Sequence, residues 1–452
     1  MKIHFIAIGG SAMHNLALAL HQKGYEVTGS DDEIFEPSRG RLEKAGLLPA
    51  EWGWFPEKIT RELDAIILGM HAREDNPELL RAQELGLKIY SYPEYLYEQT
   101  KDKKRVIIGG SHGKTTTTSM IMHVLKTCGV EFDYMVGALL DGFDTMVHLS
   151  HNSKIAVFEG DEYLSSPIDM RPKFHHYYPD IAVITGIAWD HMNVFPTFEN
   201  YVEQFGLFAE KITENGCLIY FEEDDNIRKI TDRRRSSVKA IPYAAFPHTV
   251  RNGKTFLKLN GEKELQIFGL HNMQNISAAY LVCKELGIGD QAFLNAIATY
   301  KGAAKRLQKM GEKGNTVAYL DFAHSPSKLK ATVDAVKEQY PDRHLYACME
   351  LHTFSSLNAN FLPQYKNSMD SADTAFVFFN PEVIRHKKLP EITTGDVKKG
   401  FGNDNLKVFT DNQELLKVLQ SQNYDNSVLL IMTSGNFSGI NIKETVDNLI
   451  HQ

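Results

Sequence analysis

Long apolar runs are absent from this chain. Its first residues are partly apolar, but Lys2, His4, His14 and His21 interrupt them, and Gly9-Gly10 divides them into a strand and a helix. A membrane-spanning helix needs about 20 apolar residues in succession. Neither a span nor a signal sequence is therefore expected, and the protein is expected in the cytoplasm, without a membrane partner. Cysteine is scarce: Cys128, Cys217, Cys283 and Cys348 lie far apart and form no C-x-x-C pair, which points to a reducing compartment. Positive charge is in deficit, with 49 Lys+Arg against 57 Asp+Glu and a formal net charge of -8. A nucleic-acid partner, which demands a basic face, is not expected. Short-period repeats and low-complexity tracts are missing as well.

What is present is an ordinary globular balance, 43% hydrophobic and 23% charged. That composition excludes extended disorder. The 452 residues exceed one ordinary core, and at roughly 100–200 residues per domain they divide into several. We read three: 1–104, 105–299 and 300–452.

The chain is organised around Arg105 to Thr118, RVIIGGSHGKTTTT. An apolar strand meets two glycines, then Ser111-His112-Gly113-Lys114 and four threonines that open a helix. Gly110 and Gly113 let backbone N–H groups turn inward around a phosphate, and the helix offers it a positive N-terminus. Lys114 adds a mobile cation, and Thr115 a hydroxyl for the Mg2+ that accompanies ATP. The common form of this motif has a further glycine where Ile108 stands, so the form here is the compact G-S-H-G-K-T.

In chain order, Lys2 to Ile8 reads as a strand, Gly9 to Met13 as a glycine turn into a helix, and Glu26 to Gly29 as a second strand ending at Ser30-Asp31. An acidic residue about twenty positions after such a turn is placed to hold a ribose hydroxyl. Ala7 and Ala12 replace two glycines of the dinucleotide fingerprint, which weakens an NAD reading. A strand at Ala65 to Leu68 is followed by a loop, Gly69 to Arg73, that carries His71 to the ligand-binding edge of the sheet.

In the second domain, the strand Ile155 to Phe158 ends in Glu159-Gly160-Asp161-Glu162-Tyr163. Carboxylates clustered at a strand end call for cations, and magnesium is the natural one beside ATP. The strand Ile181 to Thr185 leads to Asp190-His191. Asn260-Gly261 marks a hairpin before His271, Asn272 and Asn275, which lie around the start of a helix from about Ile276. In the third domain, strands and helices alternate, which predicts a parallel sheet covered by helices. Asp321-Phe322-Ala323-His324 ends its first strand and Thr433-Ser434-Gly435-Asn436 its last.

Together these segments resemble the Mur ligases, ATP-dependent amide-forming enzymes of bacterial cell-wall synthesis. GGSHGKTTT resembles the family's ATP loop, GLHNMQN its G-x-H-N-x-x-N segment and DFAHSP its D-Y-A-H-H-P segment, in the family's order. The resemblance implies an α/β chain of three domains: N-terminal Rossmann-like, central P-loop ATPase-like and C-terminal Rossmann-like. It implies an ATP site at Gly110, Ser111, His112, Gly113, Lys114, Thr115, Thr116, His271, Asn272, Asn275 and Arg306. Mg2+ would be held by Thr115, Glu159 and His191, and UDP-N-acetylmuramate by Gly9, Ser11, Ala12, Met13, Ser30, Asp31 and His71. Lys114, His191, Arg306, Asp321 and His324 are the implied catalytic groups. The partners are the sugar nucleotide and an amino acid or peptide, with the chain a monomer or homodimer.

Two branches of the family share the N-terminal IAIGGSAM turn. One adds L-alanine to UDP-N-acetylmuramate, and the other adds a recovered tripeptide, L-Ala-γ-D-Glu-meso-diaminopimelate. Tyr163, DMRPKFHHYYP and MTSGNFSGI resemble the tripeptide branch, whereas His352 resembles the alanine branch. The tripeptide is the expected substrate and L-alanine the alternative. An NAD-dependent oxidoreductase would leave the ATP loop and the acids unexplained, and a non-catalytic nucleotide switch would leave Lys114, Glu159 and His191 without joint purpose.

Overall fold

The computed structural model describes residues 1–189, 194–302 and 306–450. Two compact units are present, Met1–Ala244 with Gln274–Ile297 and Ala245–Met273 with Ala298–Gln452. The architecture is α/β throughout, with mostly parallel sheets covered by helices.

The first unit contains two parallel sheets. The N-terminal one orders its strands Glu26–Ser30, Lys2–Ile6, Ala65–Leu68, Ile89–Ser91. Successive residues of Lys2–Ile6 feed opposite faces: Ile3 and Phe5 join one buried cluster and Ile6 another. A strand covered on both sides has this pattern. Asn76 caps the helix Pro77–Glu84 by accepting from the Glu78 and Leu79 amides. Ser91 and Glu94 form a capping box at the start of the helix Tyr92–Thr100. That helix is absent from the sequence reading. Its Pro93 lies in the first turn, where a missing N–H breaks no helical bond.

The second sheet of this unit runs Lys239–Tyr243, Cys217–Phe221, Ile181–Ile184, Lys104–Gly109, Ile155–Glu159, Asp133–Met135, Val147–His148, parallel except for the last pair. Lys104–Gly109 is central, and the strands that follow it lie on both its sides. The phosphate loop therefore opens where the strand order reverses, the place at which open α/β sheets bind ligands. Ile107, Phe158, Ala182 and Leu218 are fully buried beneath it. Phe174 stacks on Phe208 with ring centroids 4.6 Å apart.

The second unit has a six-stranded sheet in the order Gln308–Lys313, Thr316–Asp321, Ser427–Met432, His344–Leu351, Thr374–Phe379, Lys407–Phe409. Only its first pair is antiparallel. That edge strand, QKMGEK, buries no residue fully, so it gives no hydrophobic signal. The hairpin at Asn260-Gly261 is present, with φ of 50° and 140° at the two residues. It joins Lys254–Lys258 to Glu262–Leu265, and a third antiparallel strand, His248–Arg251, precedes it. The Thr255 hydroxyl donates to Gln339 at 2.9 Å, which fastens this small sheet to the helix Pro326–Gln339. The helix Leu270–Glu285 begins ahead of the expected Ile276, so His271, Asn272 and Asn275 lie inside it.

Candidate active site

The loop after Lys104–Gly109 can be built only with glycine at two places. At Gly110, φ is 134° and a Cβ would lie 2.1 Å from the Thr185 hydroxyl. At Gly113, the N-cap of the helix Lys114–Thr127, φ is 77° and a Cβ would lie 2.4 Å from Asn275 Oδ1. Thr185 donates its hydroxyl to the His112 carbonyl, and the Ser111 amide donates to the Gly186 carbonyl at 2.9 Å. The neighbouring strand end thus clamps the loop. Asn275 also accepts from the Thr117 hydroxyl at 3.2 Å, so it sits against the loop and its helix. Thr116 lies in the helix's first turn.

Lys114 Nζ donates to the Gly110 carbonyl and to Glu162 Oε2, both at 2.6 Å. Burial alone would lower its ammonium pKa, but the Glu162 and Asp161 carboxylates outweigh burial and hold it above its ordinary value. Thr115 donates its hydroxyl to Glu159 Oε1 at 2.9 Å, and the Gly137 amide donates to Glu159 Oε2 at 2.7 Å. Burial raises the Glu159 carboxyl pKa despite Lys114, the Gly137 amide and Thr115. Two oxygen donors side by side at a phosphate loop suit a hard cation, so the Thr115–Glu159 pair fits magnesium. His191, the third expected ligand, lies outside the described residues.

Two residues absent from the expected set complete this cluster. Glu162, 1% exposed, takes Lys114 on one oxygen and the Tyr201 hydroxyl on the other at 3.1 Å. Tyr201, fully buried, also meets the Ser111 hydroxyl at 2.9 Å. Glu162 was legible as one acid of a cluster. Tyr201 lies one helical turn into Phe198–Glu210, in a sequence that reads as plain core.

At the N-terminal turn, the Gly9 amide donates to Asp31 Oδ2 at 2.6 Å. Burial pushes the Asp31 carboxyl up to about 6, against the pull of that amide. Ala7 has φ of 67° and performs the left-handed turn that the fingerprint assigns to glycine. The Ser30 carbonyl accepts from the Ala7 and Ile8 amides at 2.9 and 3.1 Å. Ser11, Ala12 and Met13 form the first turn of the helix Ser11–Gln22. His71 is exposed on the loop that leaves the adjacent strand, whose Gly69 amide donates to the Ile6 carbonyl at 2.9 Å. The expected sugar-nucleotide residues therefore gather at one sheet edge.

In the second unit, Asp321 is held by the Leu307 amide at 2.6 Å and the Ala323 amide at 2.7 Å. Burial raises its carboxyl pKa, opposed by the Leu307 amide and Arg306. The Arg306 guanidinium lies 5.2 Å from the Phe322 ring centroid. Burial, reinforced by Arg306, depresses His271 to about 4, so the imidazole is neutral at physiological pH. The Asn272 amide donates to the Phe268 carbonyl at 2.8 Å. His324 Nδ1 meets the Phe322 carbonyl at 2.9 Å, and the Tyr365 hydroxyl donates to the His324 carbonyl at 2.5 Å. Beside them, buried Glu350 accepts from the Thr433 hydroxyl and from the Phe437 amide at 3.0 Å.

Elsewhere among the described residues, Glu94, Asp169 and His176 bring possible ligand atoms within 4.8 Å of one another. Arg171 already grips Asp169 at 2.6 Å and approaches Glu94 at 3.6 Å. These carboxylates have their cation.

Comparison with known proteins shows the family. Three family models match in succession: the Mur ligase family catalytic domain over 2–104, the Mur ligase middle domain over 108–283 and the Mur ligase glutamate ligase domain over 305–435. The UDP-N-acetylmuramate--L-alanine ligase of Lactococcus lactis subsp. cremoris is 31% identical over 452 residues, covering 96% of this chain and 94% of its own. The enzyme of the same name from Sulfurihydrogenibium sp. is 30% identical over 384 residues, covering 83% and 82%. Among solved structures, a UDP-N-acetylmuramate-alanine ligase from Thermotoga maritima superposes with TM-score 0.69 at 21% identity, over 100% of this chain and 98% of that one. A murein peptide ligase from Psychrobacter arcticus does so with TM-score 0.64 at 22% identity, over 100% and 99%. These structural likenesses establish the three-domain fold, and the sequence matches establish the lineage. The chain belongs to the Mur ligase family, the ATP-dependent amide ligases of peptidoglycan synthesis.

Proposed function

We propose that this ligase joins L-Ala-γ-D-Glu-meso-diaminopimelate to the carboxylate of UDP-N-acetylmuramate, at the expense of ATP, in peptidoglycan recycling in the cytoplasm. Residues 1–104 bind the sugar nucleotide, 105–299 bind ATP, and 300–452 receive the amine. The observation that carries the choice of amine is the stretch after the acid cluster. Asp169–Pro172 pairs with Leu164–Ser166 as a hairpin, and Lys173 beyond it donates to Asp161 at 2.5 Å. This stretch, with Tyr163, bears the likeness to the tripeptide branch.

A free carboxylate is a poor acyl donor, so its oxygen attacks the γ-phosphorus and ADP leaves. The amine nitrogen then attacks the acyl carbon, inorganic phosphate departs and the nitrogen loses a proton. Negative charge accumulates throughout, and preorganised cations and N–H groups lower the barrier. Lys114 balances the phosphates, and the loop amides orient them. Thr115 and Glu159, with His191, would hold Mg2+, which would supply further charge neutralisation. Arg306 and Asp321 serve the nucleotide from the third domain, together with His271, Asn272 and Asn275. His191 and His324 are the groups suited to take the proton of the incoming ammonium.

L-alanine is the second reading, favoured by the names of the relatives at 30–31% identity. One experiment separates the two. The protein is given UDP-N-acetylmuramate and MgATP with either amine, and the products are weighed. A product heavier by the tripeptide residue supports the proposal; turnover of L-alanine alone overturns it.

A further inference from the structure

We propose that Tyr201 is a positioning residue of the phosphate loop: its hydroxyl ties Ser111 to Glu162 and thereby lets Lys114 exchange Glu162 for the phosphates of ATP. This rests on the assignment of Ser111 and Lys114 to the ATP site.

The direction of each hydrogen bond follows from the chemistry. The Ala188 amide donates to the Ser111 hydroxyl oxygen at 2.9 Å. Ser111 lies 2.9 Å from the Tyr201 hydroxyl, which in turn donates to Glu162 Oε1 at 3.1 Å. A phenol has one proton, and an ionised carboxylate can only accept. Tyr201 thus spends its proton on Glu162 and accepts the Ser111 proton, so the chain of donors runs from Ala188 through Ser111 and Tyr201 to Glu162. Its far end is Glu162 Oε2, which holds Lys114 Nζ at 2.6 Å.

Glu162 is 1% exposed, so an ionised carboxylate there needs donors at all times. When Lys114 turns to a phosphate, Glu162 gives up that ion pair and keeps the hydrogen bond from the Tyr201 hydroxyl. Tyr201 therefore makes the release of Lys114 less unfavourable. The same hydroxyl fixes the Ser111 rotamer, and with it the loop whose Ser111 amide is pinned to Gly186 at 2.9 Å. The ring is held by Phe195 and Phe205, each with its centroid 5.3 Å away. Phenylalanine at this position keeps that packing and removes only the hydroxyl.

The test is equilibrium binding of MgATP to the full chain, which requires neither amine nor sugar nucleotide. Tyr201→Phe is expected to weaken MgATP binding about tenfold, the scale of one hydrogen bond to a charged group. The melting temperature should move little, and UDP-N-acetylmuramate binding should not change. In a Glu162→Gln background, the buried charge is gone, and adding Tyr201→Phe should leave MgATP affinity within about twofold. Unchanged affinity in the single variant, or an equal loss in both backgrounds, overturns the proposal. Failure of the wild-type chain to bind MgATP at all would instead count against the ATP-site assignment on which it rests.

Discussion

Two turns in the first unit share one backbone plan. Each follows a central parallel strand, contains two adjacent glycines and opens a helix, at Gly9-Gly10 and at Gly109-Gly110. Their charges are opposite. The N-terminal turn is closed by its own carboxylate, since the Gly9 amide is already given to Asp31 Oδ2. The phosphate loop has a lysine at its helix start, and its acids Glu159 and Glu162 stand beyond it as partners for cations. The lesson is that a glycine turn specifies where a ligand can approach, while the side chains around it specify the ligand's charge. A turn blocked by a carboxylate suits hydroxyl groups, and one backed by a lysine suits phosphates.

The sharpest way to break this contrast is Lys114→Ala. It should reduce UDP-N-acetylmuramate-dependent ADP formation by about 10²–10³-fold, the usual loss when one preorganised charge-stabilising group is removed. The sugar nucleotide should bind as before, measured by calorimetry. Gly113→Ala comes next, because it forces a Cβ against Asn275 at φ of 77°. We expect about 1–3 kcal/mol of strain, read as weakened MgATP binding and a lowered melting temperature. Gly9→Ala is its mirror image. The added Cβ would lie 2.8 Å from Ile34 Cγ1 and 2.9 Å from Asp31 Oδ2. Weakened sugar-nucleotide binding with intact MgATP binding is the expected result, and loss of both would refute the separation of the two turns.

The smallest effect is a pH slope. Asp31 titrates at about 6 in the fold against an ordinary 3.8. Between those values the folded chain holds a proton that the unfolded chain has released. Stability therefore falls as pH rises through this window, and the penalty is fully present above about 6. Asp31→Asn should flatten that slope in urea titrations run across the same range, while leaving the phosphate loop's MgATP affinity unaltered.

Much of this site was legible because its signals are local. A strand, a glycine pair and a helix start are contiguous, and so is the acid cluster that ends Ile155–Glu159. The hairpin at Asn260-Gly261 was equally plain, since its two residues take the positive φ that their types favour. Other elements gave no such signal. Gln308–Lys313 is a strand only because it pairs along the edge of Thr316–Asp321. Tyr201 looks like any aromatic of an amphipathic helix, and its hydroxyl matters only because Ser111 and Glu162 converge on it. Thr185 likewise gains its role from packing against Gly110.

The sequence by itself determined the α/β class, the three-part organisation and the glycine turn that opens a helix at Lys114. It could do so because hydrophobic period and glycine placement act over a few residues. Only the tertiary structure decided who faces Lys114. Glu162 is 48 residues away along the chain and Asn275 meets Thr117 across 158. Such pairings depend on parallel strands whose order differs from their order in sequence. The same folding removes water from Glu162, and that burial turns a surface-type acid into a partner that the lysine must be able to leave.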